Sequence, residues 1–410
     1  KSYSAGTRVM QIVIMGGGIV GLTMANLLSQ ADDLNIILIE SKNIDFKWDP
    51  ASYDIRCSAI TRASQNIFKH IGIWQQIVAT RVGMYNKMQV WDENTHNTLN
   101  FSSIDIAQAD LGHIVENRLI LRALWDTLHT KHNVTVVFGT AQKLEQHTGF
   151  SRLYVNHSYI DAQLIIGADG ADSWLRNTAN IDVVQQDQKQ HALVATINTQ
   201  LTHDNIARQC FTQSGSIAFL PLDQANLSSI VWSAAPDKIA GLMQLTDSEF
   251  CKLLAQEFDN RLGRLALHGE RACFPLRMLH AKSYIASRIA LIGDAAHIVH
   301  PIAGQGLNLG VMDAAALAEI LIKQAELRKD VGQQVVLRKY ERWRKGNNLT
   351  VLILGQVLKT AFASPDSMLR GLCNIGLLGV ERLPIVKQVM ASFAMGLNSD
   401  IPICAKSSYD

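Results

Sequence analysis

Residues 9–21, VMQIVIMGGGIVG, run from a β-branched apolar stretch into three consecutive glycines and out into a second apolar stretch. Val9 to Met15 predicts a buried strand, and Ile19 to Gln30 carries its apolar residues at helical spacing. Asn35 to Glu40 is apolar again, so the order is strand, turn, helix, strand. A βαβ unit of this kind implies a parallel sheet covered by helices. Within the turn, Gly16, Gly18 and Gly21 match G-x-G-x-x-G in its meaningful context, after a strand and at the opening of a helix. Gly16 permits the tight turn, Gly18 lets backbone N–H groups approach a pyrophosphate, and Gly21 lets helix and strand pack closely. Glu40, at the end of the second strand, is placed to accept hydrogen bonds from adenosine ribose hydroxyls. A glycine turn without a ligand is the plainer alternative; the flanking strand and the acidic residue speak against it.

An ADP-containing ligand follows, and the choice between NAD and FAD rests on residues 290–310, ALIGDAAHIVHPIAGQGLNLG. An NAD site is complete within two βαβ units, whereas FAD runs past the pyrophosphate through a ribityl chain to a ring system and needs a second contact region. Asp294, following a buried strand, can accept from ribityl hydroxyls. Gly304, Gly306, Leu307 and Asn308 open a helix expected over about Leu307 to Gln324, whose N-terminal donors would face the ring and stabilise charge on it. Asp294, His297 and His300 are three apart and could be metal ligands on a helix; Pro301 and the nearby glycines argue against a regular helix there, and no metal is expected.

At 410 residues the chain exceeds one ordinary core. Leu164 to Ala168 and Arg288 to Ile292 are apolar runs ending in glycine-bearing turns, so the first sheet is revisited after long excursions. Between those visits His191 to Thr199, Ser216 to Leu222 and Leu227 to Ser233 read as an antiparallel sheet, with helical spacing over Asp247 to Arg261. From Leu337 the chain reads as helical, with Arg338, Lys339, Arg342, Arg344 and Lys345 as a basic cluster. The expected fold class is α/β: a Rossmann-like FAD-binding domain (8–78, 104–180 and 281–336) interleaved with an antiparallel-sheet substrate domain (79–103 and 181–280) and a C-terminal helical region (337–410).

Charge and cysteine content narrow the setting. Lys and Arg total 38 against 36 Asp and Glu, a formal +2 without blocks of like charge, so nucleic acid is not an expected partner. The six cysteines are far apart with no C-x-x-C, which suits single thiols in a reducing compartment and a cytoplasmic location. Lys1 to Thr7 is polar and predicts no secretory leader; Val351 to Phe362 holds Gln356 and Lys359 and is too short to cross a bilayer. Membrane contact would be peripheral, at the inner face.

A third loop, GADGADSWLR (167–176), is on its own just an Asp-Gly turn after a strand. Together with GDAAHIVHPIAGQGLNLGVMDAAALAE (293–319) it resembles the FAD motifs of single-component aromatic-ring flavoprotein hydroxylases, the para-hydroxybenzoate-hydroxylase-like fold. SAITRAS, LGHIVEN, HALVATI, FLPL, SIVWS, DNRLG, LRKYERWRK and AMGLN are similar to the ubiquinone-biosynthesis hydroxylases of that family, above all its 2-polyprenylphenol (2-octaprenylphenol) hydroxylase branch. The resemblance implies an FAD-dependent monooxygenase that consumes NAD(P)H and O2 and hydroxylates a prenylated phenol through a C4a-hydroperoxyflavin. It puts Arg56 at the flavin-contacting arginine, and Asn117 where many relatives have Arg or Gln. It makes Asp169 and Arg176 candidates for the transient nicotinamide nucleotide. Arg56 as an ordinary ion-pair partner is the alternative.

No side chain declares itself as a catalytic acid or base, and Pro301 is the one candidate beside the ring. The resemblance also allows a homo-oligomer and association with other quinone-biosynthesis proteins. Other readings are hydroxylation of another ring position or another phenol, and a non-catalytic flavoprotein subunit of an assembly. A disulfide reductase would need paired redox cysteines and a second glycine fingerprint, and a flavin halogenase W-x-W-x-I-P; none of these is found.

Overall fold

β1 (Met10–Met15), helix α1 (Ile19–Leu28) and β2 (Leu34–Glu40) form the expected strand-helix-strand unit of a parallel sheet. The computed structural model describes residues 9–42, 49–93, 98–212, 215–299, 305–363, 395–396 and 400–406. Strand Leu164–Gly167 lies on the other side of β1, also parallel, and Ile289–Leu291 continues beyond it in parallel. Val134–Phe138 pairs with β2, and a short antiparallel strand, Ile285–Ala286, closes the far edge. Both faces of this six-stranded sheet are covered, which is why Ile12, Val13 and Ile14 are all fully buried rather than alternating. Three strands separated by more than a hundred residues thus end side by side, and their C-terminal turns form one rim.

The second layer is an eight-stranded sheet running from His297–Ile298 through Leu265–Ala281, Val183–Thr199, Leu227–Ala234, Gly215–Pro221, Ile206–Thr212 and Lys87–Asp92 to Thr98–Ser102. It is antiparallel except where Ile206–Thr212 meets Lys87–Asp92 in parallel. Val183–Thr199 is twice the strand expected, because its polar first half, VVQQDQKQ, pairs with the end of Leu265–Ala281 through a register shift between Asp187 and His191. Helices Pro236–Gln244 and Asp247–Glu257 bury Trp232, Phe219 and Phe250 against one face. Thr246 and Glu249 begin the second of these with a reciprocal capping box.

Helix Gln305–Glu326 packs along α1, and helix Gln334–Ala363 packs on it in turn. The strand His297–Ile298 pairs antiparallel with Leu279 and His280. The segment that follows the Gly293 turn is therefore stitched into the eight-stranded sheet, a join between the two sheets that apolar patterning did not foreshadow. A small sheet of Cys57–Ile60, Gly112–Glu116 and Gly83–Tyr85 forms a second bridge beside the rim.

Candidate functional site

The glycines of the first turn have separate physical duties. Gly16 sits at φ +104°, and a Cβ there would lie 2.3 Å from the Ala168 carbonyl oxygen. A Cβ on Gly21 would lie 1.9 Å from the Gly16 carbonyl oxygen. A Cβ on Gly18 would meet nothing within 4 Å. Gly16 and Gly21 are thus demanded by packing, while Gly18 faces open space at the N-cap of α1, where no side chain caps the first-turn N–H groups. Open space next to uncapped helical donors is the steric and electrostatic form a pyrophosphate requires. Glu40 lies beneath the turn, its Oε2 accepting from the Gly17 N–H at 2.6 Å.

The second loop converges on the first through Val20. A Cβ on Gly293, at φ +59°, would come within 3.2 Å of the Val20 methyls, and one on Gly310 within 2.7 Å. The absence of side chains at these two positions lets α1 and helix Gln305–Glu326 close around the turn Gly293–Ala295. Asp294 is exposed to solvent, yet the protein encloses it from several sides. That enclosure pushes its carboxyl above the ordinary aspartate range, against the opposing pull of the His297 and Arg56 charges. The Arg56 guanidinium lies 5.5 Å from the ring centre of Phe274 on the antiparallel sheet, so one exposed arginine reaches from the cofactor rim to the second layer. The Asn117 N–H donates to the Arg56 carbonyl (2.9 Å), and its Oδ1 accepts from Ser58 Oγ (2.7 Å), which places Asn117 behind Arg56.

Other expected residues take inward positions. Asn308 is buried; its Nδ2 donates to the Ala59 carbonyl at 2.7 Å, and its Oδ1 accepts from the Thr61 N–H at 3.0 Å, clipping helix Gln305–Glu326 to the bridging sheet. Leu307 packs partly buried against the main core. A Cβ on Gly306 would make only an ordinary contact with Val299 at 3.7 Å, so close packing does not require glycine there. Asp169 Oδ2 accepts from the Leu175 N–H at 3.0 Å, while its Oδ1 is buried with no partner among the described residues. Arg176 is buried, and its terminal nitrogens donate to the Ala295 carbonyl (3.0 Å) and the Ala171 carbonyl (2.8 Å). It joins the third loop to the Gly293 turn, a different geometry from an arginine extended toward a nucleotide. Pro301, Gly304 and His300 lie outside the described residues.

The basic cluster read on helix Gln334–Ala363 needs correction. Arg338, Lys339 and Arg342 are exposed, but Arg344 is buried and Lys345 donates to the Lys282 carbonyl. One of the five cations therefore serves the interior, and a second is tied to a surface carbonyl.

Several residues that patterning missed support the rim. Glu116 is buried and accepts from Arg81 Nε (2.5 Å), Arg118 Nε (3.1 Å) and the Asp54 N–H (2.5 Å), while the Arg81 guanidinium stacks on Tyr53 at 3.9 Å. This knot fixes the approach to Arg56. Asp313, fully buried on helix Gln305–Glu326, accepts from the Gly293 N–H and from His297 and Arg344. Burial alone would raise its carboxyl, but the His297 and Arg344 charges and hydrogen bonds outweigh burial and hold it down at about 2. With Nε2 committed to Asp313, His297 does not present that nitrogen to a metal; among the described residues no group of three or more His, Cys, Asp or Glu side chains is placed to hold one. The signal available in the sequence was an acid in an otherwise Ala-rich helix, VMDAAALA, where a solvent-facing role is the ordinary expectation.

The glycine turn at the start of α1 and the Gly293 turn thus meet on one rim, with uncapped helical donors and open space beside Gly18, a form suited to a dinucleotide cofactor. The family described as FAD binding domain matches residues 9–348. The chain is 32% identical over 389 residues to the 3-demethoxyubiquinol 3-hydroxylase of Escherichia coli (strain K12), covering 94% of this chain and 98% of that one. It is 33% identical to the mitochondrial ubiquinone biosynthesis monooxygenase COQ6 of Xenopus tropicalis, covering 95% and 94%. The p-nitrophenol 4-monooxygenase PnpA of Pseudomonas putida DLL-E4 shares the fold with a TM-score of 0.78 at 18% identity, over 96% of this chain and 99% of that one. The chain belongs to the FAD-dependent aromatic hydroxylases, in the family of the ubiquinone-biosynthesis hydroxylases.

Proposed function

We propose that the protein hydroxylates the aromatic ring of a polyprenylphenol intermediate in ubiquinone biosynthesis. The observation that carries the reading is the close approach of Gly293 and Gly310 to Val20, which brings the Gly293 turn to the glycine turn of α1, with Arg56 spanning from that rim to Phe274 on the sheet. In this reading residues 8–78, 104–180 and 281–336 serve as the cofactor half and residues 79–103 and 181–280 as the substrate half, with helix Gln334–Ala363 packed on helix Gln305–Glu326.

When bound, FAD reduced by NAD(P)H supplies the chemistry of oxygen activation. The chain's own residues bind and orient. The α1 N-terminus would hold the pyrophosphate with backbone N–H groups, Glu40 the adenosine ribose and Asp294 the ribityl hydroxyls. Arg56 would contribute positive charge toward the flavin, with Asn117 and the Glu116 knot holding its backbone in place. A phenol hydroxyl already directs electrophilic attack ortho and para to itself, so the protein's task is to present the ring edge and keep water away. Asp169 and Arg176 shape the third loop, with Arg176 acting through the Ala295 carbonyl.

The purified holoenzyme should oxidise NADH or NADPH several-fold faster when a 2-polyprenylphenol is added, with mass spectrometry showing one added oxygen. A demethoxyubiquinol substrate in parallel tests hydroxylation at another ring position. No stimulation by any prenylated phenol would leave the non-catalytic flavoprotein reading in its place.

Such a substrate resides in a bilayer, and helix Gln334–Ala363 offers a face suited to one. Val335, Arg338, Lys339, Arg342, Leu349 and Ile353 are all exposed and recur at helical spacing, while Glu341 turns inward to Ser283 and the Tyr284 N–H. No helix among the described residues is long and apolar enough to cross a membrane. A basic and apolar helix face lies in the interfacial plane, each cation near an anionic surface contributing about 1 kcal/mol. Flotation with phosphatidylcholine vesicles containing phosphatidylglycerol should carry the protein upward, and R338E/K339E/R342E should reduce the bound fraction by about tenfold or more. Equal flotation of both proteins would refute this face.

A further inference from the structure

Beneath the Gly293–Ala295 turn lies a buried polar group outside the glycine fingerprints. Asp313 Oδ2 accepts from the Gly293 N–H at 3.2 Å and from His297 Nε2 at 2.5 Å. Its Oδ1 accepts from Arg344 Nε at 2.8 Å and Asn348 Nδ2 at 3.0 Å. Arg344 also donates to Asn348 Oδ1 at 2.8 Å, and Asn348 donates to the Tyr284 hydroxyl at 3.3 Å. Asp313, Arg344, Asn348 and His297 are each no more than 3% exposed. Four hydrogen bonds to one carboxylate fill its accepting capacity, which is the condition under which a buried charge pair is well held. The same turn is gripped on its other sides: the Tyr340 hydroxyl donates to the Leu291 carbonyl at 2.7 Å, and Arg176 to the Ala295 carbonyl.

The geometry points to Asp313, Arg344 and His297 as positioning residues for FAD. Asp313 fixes the turn through the Gly293 N–H and so aims the adjoining Asp294, and Arg344 makes helix Gln334–Ala363 part of the cofactor site. Two features support more than generic packing. Gly293 is in the left-handed region, where the N–H direction is unusual and needs a partner supplied from outside the turn. His297 begins the strand paired with His280 of the eight-stranded sheet, so the same carboxylate that holds the cofactor turn also holds its junction with the sheet. A displaced Asp313 would let Gly293, and with it Asp294, rotate away from the rim.

The inference rests on FAD as the occupant of this turn, and release of FAD from purified holoenzyme, followed by the rise of flavin fluorescence, tests it apart from activity. Asp313→Asn alone strands the Arg344 charge and risks unfolding, so the decisive variant is Asp313→Asn with Arg344→Met, which removes both charges together. It should melt within a few degrees of wild type in excess FAD but release FAD at least tenfold faster. His297→Gln, which can still donate to Asp313, should stay within threefold of wild type, while His297→Leu should behave like the double variant. Wild-type release rates in the double variant and in His297→Leu would overturn the inference, as would a fast His297→Gln. If the double variant does not fold, the His297 pair decides. A wild-type chain retaining no FAD would instead fail the cofactor assignment itself.

Discussion

Replacing Gly21 with alanine will leave the purified chain colourless. The added methyl would stand 1.9 Å from the Gly16 carbonyl oxygen, and Gly16 has nowhere to retreat: a Cβ on it would itself lie 2.3 Å from the Ala168 carbonyl. Its N–H is also committed to the Ile39 carbonyl at 2.8 Å, so moving it breaks the junction of β1 with β2. Overpacking of this kind costs about 1–3 kcal/mol and occasionally more; backbone on both sides of the clash puts Gly21→Ala at the upper end, about 3 kcal/mol. Gly18→Ala is the control, because its methyl would enter open space. That variant should melt near wild type and lose FAD affinity alone, since the methyl intrudes where the pyrophosphate approaches. A yellow, wild-type-stable Gly21→Ala protein would show that the turn does not have this geometry.

Asp294→Ala should weaken FAD about ten- to a hundredfold without unfolding the chain. Asp294 is exposed, so removing it leaves no buried partner stranded. What it loses is a carboxylate hydrogen-bonding to ribityl hydroxyls, and hydrogen bonds to charged groups contribute about 1.5–3 kcal/mol, with each 1.4 kcal/mol a factor of ten. Asp294→Asn, retaining an acceptor, should fall between. Acidity provides a second measurement. Enclosure by the protein raises the Asp294 carboxyl, so its ionised form is lost at a higher pH than for an ordinary aspartate as the solution is acidified. Wild-type FAD affinity should therefore decline on acidification before ordinary carboxylates protonate, and Asp294→Asn should lack that component. Titration of FAD fluorescence at several pH values reads both, and identical profiles for the two proteins would remove Asp294 from the site.

Much of the rim was legible in residues 9–40 and 290–310 because their information is local. A β-branched run, a glycine where no Cβ fits and an acid at a strand end each act within a few residues of themselves, so pattern and spacing carry them. Arg56 and Asn117 came from resemblance, and the structure places them together through the Asn117 N–H and the Arg56 carbonyl. The polar first half of Val183–Thr199 was invisible as a strand, because exposed two-stranded pairing leaves no alternating apolar trace. Arg344 looked like one more cation in a basic run, and only its burial shows otherwise.

What the amino-acid order determined by itself was the parallel unit, its glycine turn, the second turn before helix Gln305–Glu326 and, through these, a flavin-binding α/β protein. Only the tertiary structure decided which polar groups share a partner: Asp313 with Arg344 thirty-one residues on, Glu116 with Arg81, and His297 in register with His280. The reason is physical. Backbone conformation and burial respond to neighbours along the chain, whereas a buried charge is acceptable only where a distant group arrives to compensate it, and that arrival is set by how the sheets and helices pack.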